Sequence, residues 1–279
     1  MVTVTFCIRL KTEILSIYFD GIIKSLDFKP YKMDIYYNEF STPKSFIKYN
    51  SNLLNILSLS ELDGGVTSFS LYDNRYSNEK VTPFFRAKIL DTTFSNKQVV
   101  CLFEWVSYPK LYFNLDVSFL CNNLSDDAKI IFLIAYNQLD GIAEIETQNY
   151  FKKIFNSQAK WGKKIIVNNI PFIAAPVMFF GKEYYNIIPK DVLLKVPNSQ
   201  ELMVRGQEIV AVKLFDLYEN PNLYRNIQKK YWEITSLSQR LKECKKLFFS
   251  IDAITQYKNR YKIIKAQKNT KRRHSASGR

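Results

Sequence analysis

The chain has few of the residues that most enzyme active sites require. Its only histidine is His274, so the rest of the chain has no histidine for a Ser-His or Cys-His nucleophile arrangement. Its 8 glycines form neither G-x-G-x-x-G nor G-x-x-x-x-G-K-[ST], the loops that usually bind nucleotide phosphates. Carboxylate pairs such as Glu144/Glu146 or Glu104/Asp116 stay open as an acid/base alternative, which requires that their pKa values differ. The inventory favours a protein that is not an enzyme and needs no cofactor or metal.

Cysteines are few and long apolar runs are missing. Cys7, Cys101, Cys121 and Cys244 form no C-x-x-C pair, so neither a zinc site nor a disulfide framework is indicated. We expect buried thiols in a reducing compartment. No stretch approaches the ~18 uninterrupted apolar residues that a membrane span requires, and Arg9 interrupts the apolar run at the N-terminus. A cytoplasmic protein without a membrane span is expected.

Positive charge is abundant but unevenly placed. Residues 221–279 contain 16 Lys and Arg against three acidic residues, whereas residues 1–220 are almost neutral. A basic arm of this kind suits an acidic or polyanionic partner. The chain as a whole is rich in core-forming residues: 47% of its residues are hydrophobic and 15% are aromatic. The pattern predicts a folded body followed by a basic arm.

Periodicity predicts an α+β fold, with a mainly antiparallel sheet and flanking helices. Strands are predicted near 1–11, 31–37, 66–72, 81–91, 97–107, 110–120, 142–147, 164–167 and 172–180, and two more lie within 204–217 on either side of Gly206. The strands at 97–107 and 110–120 are predicted to form a hairpin around Pro109. Helices are predicted at 12–28, from Pro43, from Ser125 to Asp140, at 150–161 and at 183–188.

The domain organisation follows from these elements and from the charge. Residues 1–121 and 122–235 form two α+β halves, which could also be one continuous domain. Residues 236–267 are predicted to form a basic amphipathic helix, because no glycine or proline interrupts them and apolar residues recur at three- and four-residue steps. Residues 268–279 have no apolar stripe, and a disordered basic tail is expected.

The basic arm has two interpretations. Its apolar stripe, which includes Leu237, Leu241 and Phe248, suits packing on the body with the lysines simply solvated. Alternatively, residues 236–279 contact nucleic acid, because several phosphate contacts together give strong, salt-sensitive affinity. The candidate contacts in that case are Arg240, Lys245, Lys246, Lys258, Arg260, Lys262, Arg272 and Arg273.

The order of motifs over residues 137–232, about a third of the chain, resembles a known family. The motifs are M-F-F-G-K-E-Y-Y at 178–185, I-P-K at 188–190, L-L at 193–194, V-K-L-F-D at 212–216, Y-E-N-P at 218–221 and Q-K-K-Y-W at 228–232. This order is similar to that of bacterial immunity proteins encoded beside polymorphic toxins. The resemblance implies a cytoplasmic, non-enzymatic α+β protein that blocks a toxin by covering its surface.

Aromatic side chains within these motifs are the candidate protein-interface residues. They are Tyr184, Tyr185, Tyr218 and Trp232, chosen because tyrosine and tryptophan are enriched at binding hot spots. We therefore expect a protein partner, toxin-like in character. A nucleic-acid-binding or ribonucleoprotein component that uses the basic arm is the alternative.

Overall fold

The computed structural model describes residues 2–25, 29–36, 44–46, 48–50, 68–73, 84–93, 98–107, 128–137, 166–167, 170–171, 173–237 and 239–240. In this part of the chain the dominant feature is one antiparallel sheet of ten strands, in the order β11-β12-β10-β7-β1-β6-β5-β4-β2-β3. These strands are β1 (Val2–Lys11), β2 (Pro30–Tyr36), β3 (Lys44–Phe46), β4 (Ser68–Asp73), β5 (Phe84–Thr93), β6 (Gln98–Ser107), β7 (Lys129–Asn137), β10 (Val177–Gly181), β11 (Ser199–Val204) and β12 (Gln207–Lys213).

Short helices and one small hairpin complete the described structure. The hairpin consists of β8 (Ile166–Val167) and β9 (Ile170–Pro171). The helices are α1 (Leu15–Ser25), α2 (Lys190–Leu193) and α3 (Arg225–Thr235), and 3-10 turns cover Thr12–Ile14, Lys182–Asn186 and Pro221–Tyr224. The α+β class with a mainly antiparallel sheet is thereby confirmed.

Strand β1 lies at the centre of the sheet. It pairs with β6 on one side and with β7 on the other, and a register shift between Cys7 and Ile8 marks a bulge against β7. Nearly all of its residues are buried, including Thr3 and Thr5. Because β1 joins the strands that precede residue 121 to those that follow it, one sheet runs through both predicted halves.

A hydrophobic core lies on each face of the sheet. In the first core, Phe6 and Phe103 stack at 4.6 Å, and Phe19 of α1 packs at 5.0 Å from both Phe69 and Phe103. α1 reaches this core because its buried residues recur at helical spacing while Ile17 faces outward. The second core lies on the other face, and its members include Phe132, Tyr184, Leu193 and Tyr231.

The helix predicted from Ser125 to Asp140 is wrong, because this segment contains strand β7. The sequence K-I-I-F-L-I-A-Y-N is a continuous apolar run, and periodicity alone does not separate a buried helix from a strand that is buried on both faces. β7 pairs with β1 and β10, and residues 130–136 are buried. Each face of β7 is covered by one of the two cores, and this burial on both faces explains why the strand is apolar throughout. The sequence pattern does not show the two cores.

Two further sequence predictions are corrected. The helix predicted from Pro43 is wrong at 44–46, where β3 pairs with β2. The hairpin of 97–107 with 110–120 is also wrong, because β6 is flanked by β1 and β5 and has no free side for that partner. Residues 110–120 themselves lie outside the described residues, as do the predicted elements at 142–147 and 150–161.

The chain turns at the end of α3. Ser236 has left-handed backbone angles (φ 47, ψ 35), which end the helix, and the amide groups of Gln239 and Arg240 then donate to the Ser236 carbonyl. Left-handed residues commonly terminate helices in this way. Beyond residue 240, the predicted basic helix and tail lie outside the described residues.

Candidate functional site

The most prominent exposed feature of the described chain is residues 214–224, which we call the exposed loop. It connects β12 to α3 and alternates between the two cores. Leu214 and Phe215 pack into the second core, whereas Leu217 packs into the first. The loop therefore wraps around the sheet with its inward side chains anchored on both faces.

Hydrogen bonds hold the backbone of the exposed loop in place. The Leu214 amide donates to the Pro176 carbonyl at 2.8 Å, and the Tyr218 amide donates to Asp216 Oδ1 at 3.2 Å. Asn220 caps the 3-10 turn by accepting from the Asn222 amide at 3.1 Å, and Pro221 follows it in the first position of the turn. Each contact satisfies a backbone donor that would otherwise need water.

The far end of the exposed loop is tied to α3 and to the body. Phe215 and Tyr224 stack at 4.7 Å with an interplanar angle of 4°. Arg225 donates to Asn222 Oδ1 at 2.8 Å and to Gln228 Oε1 at 2.8 Å. Gln228 in turn donates to the Ala174 carbonyl at 2.9 Å. The loop is thus built as a fixed surface.

Two large apolar side chains project from this fixed loop. Tyr218 is 47% exposed and Leu223 is 76% exposed. Asp216 and Glu219 are exposed beside them, and the loop contains no Lys or Arg. A hydrogen bond to Glu219 is the main cause that raises the pKa of Tyr224, which further ties the loop together. An exposed apolar pair with acidic neighbours suits contact with another protein.

The four predicted interface residues occupy different environments. Tyr184 is fully buried and stacks on Phe180 at 4.3 Å, so it contributes to the second core. Tyr185 is half-buried, and its hydroxyl donates to the Phe180 carbonyl at 3.3 Å. Burial and nearby Glu208 raise the pKa of Tyr185 to about 12. Trp232 is half-buried against the second core. Tyr218 is the exposed member of the set.

Among the predicted nucleic-acid contacts, Arg240 alone falls within the described residues. Its Nε donates to the Thr235 carbonyl at 2.8 Å, which closes the end of α3. The remaining predicted contacts lie outside the described residues: Lys245, Lys246, Lys258, Arg260, Lys262, Arg272 and Arg273.

Sequence reasoning missed Leu223. The available signal was Asn220-Pro221, since asparagine followed by proline is typical of a helical start. That start explains the turn but not the exposure of Leu223, because exposure depends on how Phe215 and Tyr224 pack.

A row of polar side chains crosses the other half of the sheet. Strand register places Asp34, Ser70, Arg86, Glu104 and Thr5 side by side on the face opposite α1. Arg86 Nε donates to Ser70 Oγ at 3.4 Å. Burial raises the pKa of Glu104, and the Arg86 guanidinium partly opposes that effect. The members interact with one another, as expected of a structural polar network.

Tyrosines extend the polar row. Burial and a hydrogen bond to Asp34 raise the pKa of Tyr72 to about 12, and Lys32 Nζ lies 4.9 Å from the centroid of the Tyr72 ring. Burial and nearby Glu104 raise the pKa of Tyr136, an effect partly opposed by hydrogen bonds to Thr5 and Thr3. Because these side chains interact mainly within the row, the exposed loop is the better candidate for an external partner.

Cys7 and Cys101 are free, buried thiols. Burial raises the pKa of each, which keeps the protonated, unreactive form at neutral pH. Their side chains point to opposite cores. The expectation of buried thiols holds for these two, while Cys121 and Cys244 lie outside the described residues.

The described ranges contain neither a metal-binding cluster nor a helix able to span a membrane. No three His, Cys, Asp or Glu side chains converge there as metal ligands would. No helix in these ranges is long and apolar enough to cross a membrane.

Comparisons with known proteins identify no relative of this chain. No protein-family model matches the chain, and searches of curated proteins and of solved structures return no match.

Proposed function

We propose that this chain is a non-enzymatic, cytoplasmic binding protein, immunity-like in its action, that neutralises a protein toxin by covering its surface. The observation that carries the proposal is the pair of exposed apolar side chains, Tyr218 and Leu223, on a loop whose backbone is already fixed. A loop that is ordered before binding loses little conformational entropy when the complex forms.

The chemistry of the exposed loop defines the partner surface. Tyrosine supplies a large contact area with few rotatable bonds, and it is among the residues that most often dominate binding energy. Asp216 and Glu219 place negative charge beside the two anchors in a chain of net charge +14. The partner surface should therefore offer an apolar depression with Lys or Arg at its rim.

The position of the loop in the chain adds support. Residues 214–224 lie within the segment that resembles immunity proteins, where V-K-L-F-D and Y-E-N-P occur in order. Phe215 of the first motif and Tyr218 of the second have different roles: Phe215 is buried under the loop and Tyr218 is presented on it. The buried Phe215 thus supports the loop that presents Tyr218.

The proposal is tested with the full chain as bait. The retained protein is identified after nuclease treatment, produced separately, and titrated in a calorimeter. Tyr218→Ala and Leu223→Ala should each weaken binding by about tenfold or more, equivalent to about 1.4 kcal/mol. Ile17→Ala is the matched control, because Ile17 is equally apolar and 73% exposed but lies on α1. Unchanged affinity in both loop variants would overturn the proposed contact.

The nucleic-acid alternative is separated by a second comparison. The full chain and a chain ending at Thr235 are assayed for DNA and RNA binding at low and moderate salt. Tight binding that falls steeply with salt and disappears on truncation would assign the function to residues 236–279. Equal and weak binding by both chains agrees with a protein partner.

A further inference from the structure

Strand β11 is an open edge of the sheet. It pairs with β12 along Ser199–Val204, and no described strand lies on its other side. The opposite edge strand, β3, is only three residues long. Natural proteins protect sheet edges with short strands, lysine, proline or bulges. The sequence S-Q-E-L-M-V contains neither lysine nor proline, and its register with β12 is uninterrupted. Within the described residues, this edge has no lysine, proline or bulge, and Glu201 is its one charged side chain.

The edge is also held in shape before any partner arrives. Asn198 (φ 59) precedes the strand and Arg205 (φ 46) follows it, so sharp left-handed turns limit it at both ends. Lys190 Nζ lies 2.8 Å from Glu201 Oε1 and 3.1 Å from Glu208 Oε1, which links the strand to α2 and β12. An extended, preordered backbone is the geometry that strand addition requires.

The side chains of β11 determine what an added strand must carry. Glu201 and Met203 lie on one face two residues apart, and Met203 is 67% exposed. Glu201 and Glu208 share the single ammonium group of Lys190, so this group of three carries a net negative charge. On the other face, Leu202 and Val204 pack against the first core. Cross-strand neighbours interact directly, so the added strand needs a cation opposite Glu201 and an apolar residue opposite Met203.

We propose that the open edge of β11 binds an extended segment of a partner protein by β-strand addition, with Lys or Arg opposite Glu201 and an apolar side chain opposite Met203. This surface is distinct from the exposed loop. Strand addition at this edge is a second binding activity, beyond the function proposed above. The whole chain has a net charge of +14, so it repels a cationic segment at long range. Affinity for such a segment must therefore come from the local carboxylates and the open backbone.

The test uses the full chain and a labelled synthetic peptide of about eight residues in which Lys and Val take turns at every second position, with Thr between them. Lys and Val then lie two residues apart on one face of the strand, as Glu201 and Met203 do. One control peptide has Glu in place of each Lys. A second has the Lys–Val sequence with N-methyl groups on alternate residues, which block its backbone donors. Fluorescence anisotropy should show binding of the Lys–Val peptide at least about tenfold tighter than binding of either control.

Matched variants locate the site. Met203→Lys and Glu201→Lys should each weaken binding of the Lys–Val peptide by about tenfold or more. Leu223→Lys introduces the same charge at the exposed loop and should leave the affinity unchanged. Circular dichroism and thermal unfolding check that each variant folds, as expected because these side chains are exposed. The N-methylated peptide tests strand addition without any change to the protein, so its result does not depend on the folding of a variant.

Three outcomes would overturn the proposal. One is that the N-methylated peptide binds as tightly as the Lys–Val peptide, because binding would then not depend on backbone hydrogen bonds. Another is unchanged affinity in both Met203→Lys and Glu201→Lys. The third is a wild-type dimer that Met203→Lys converts to a monomer in light scattering, because the edge is then used by a second copy of the chain. Leu223→Lys distinguishes this proposal from the proposed function. If it loses binding of the protein partner but still binds the Lys–Val peptide, the exposed loop and the edge of β11 are separate binding surfaces.

Discussion

At the scale of single residues, Gly181 allows strands β7 and β10 to lie close together. A Cβ atom at this position would lie 1.9 Å from the carbonyl oxygen of Ile130, which belongs to the neighbouring strand β7. Real atoms do not approach so closely, so β7 and β10 must separate before any larger residue fits. The glycine is required by close backbone approach, not by an unusual φ.

Gly181→Ala should destabilise the protein by about 3 kcal/mol or more, because the clash is with backbone and not with a flexible side chain. Gly206→Ala is the matched control. Gly206 has φ +72 and open space around it, so alanine there is strained but does not clash, at a cost of about 1 kcal/mol. Urea denaturation of both variants measures the difference. Similar losses at the two positions would contradict the close approach.

At the scale of elements, the polar row shows five strands held in register by side chains on one face. Asp34, Ser70, Arg86, Glu104 and Thr5 come from β2, β4, β5, β6 and β1. A slip of one residue in any of these strands would turn its polar member into the first core. The row therefore specifies register as well as contributing charge–charge contacts.

Glu104 gives the row a pH-dependent contribution to stability. Burial raises its pKa in the folded protein above the ordinary value of 4.5. The favourable contribution is therefore full below about pH 4.5 and is lost as the pH rises through the folded pKa. Glu104→Gln should gain stability relative to the wild type across this window, with a slope of at most about 1.4 kcal/mol per pH unit.

The measurement is the free energy of unfolding at several pH values for wild type and Glu104→Gln. Glu13→Gln is the control, since Glu13 is exposed at the start of the first helical segment. This variant controls for the loss of one negative charge at the surface. A constant difference between Glu104→Gln and wild type at all pH values would show that Glu104 is not desolvated.

At the scale of the whole molecule, one ion pair joins distant parts of the chain. Arg9 of β1 donates to both carboxylate oxygens of Glu183, at 2.8 and 3.0 Å, although 174 residues separate them in sequence. The side chains are 22% and 31% exposed. The pair connects the central strand to the 3-10 turn that covers the second core.

A double-mutant cycle with Arg9→Gln and Glu183→Gln should give a coupling of about 1 kcal/mol that weakens with added salt. The exposed pair Lys195–Asp191 is the control, because its 3.8 Å separation and exposures of 68% and 73% predict little coupling. Chemical denaturation of the four variants of each cycle supplies the energies. Coupling no larger than that of the control would show that the bidentate geometry adds nothing.

The sequence alone was informative where local patterns were strong. Alternation predicted β1 and β6, and the apolar spacing of Leu15, Tyr18 and Ile22 predicted α1. The turn at Gly206 between β11 and β12 also follows from a local requirement, its positive φ. These elements were predictable because their period and their turn residues are set by near neighbours.

Other features depended on tertiary packing. The apolar run of β7 has no period that separates strand from helix, and only its position between β1 and β10 selects the strand. The buried Tyr184 and the exposed Tyr218 look alike as sequence motifs, and the two cores assign one to the interior and the other to the surface. The open edge of β11 likewise exists only through strand order. Sequence by itself thus determined the α+β class and the elements with a strong local pattern, such as α1 and β6. The tertiary structure decided which residues face a partner, because burial and strand order depend on contacts between residues far apart in the chain.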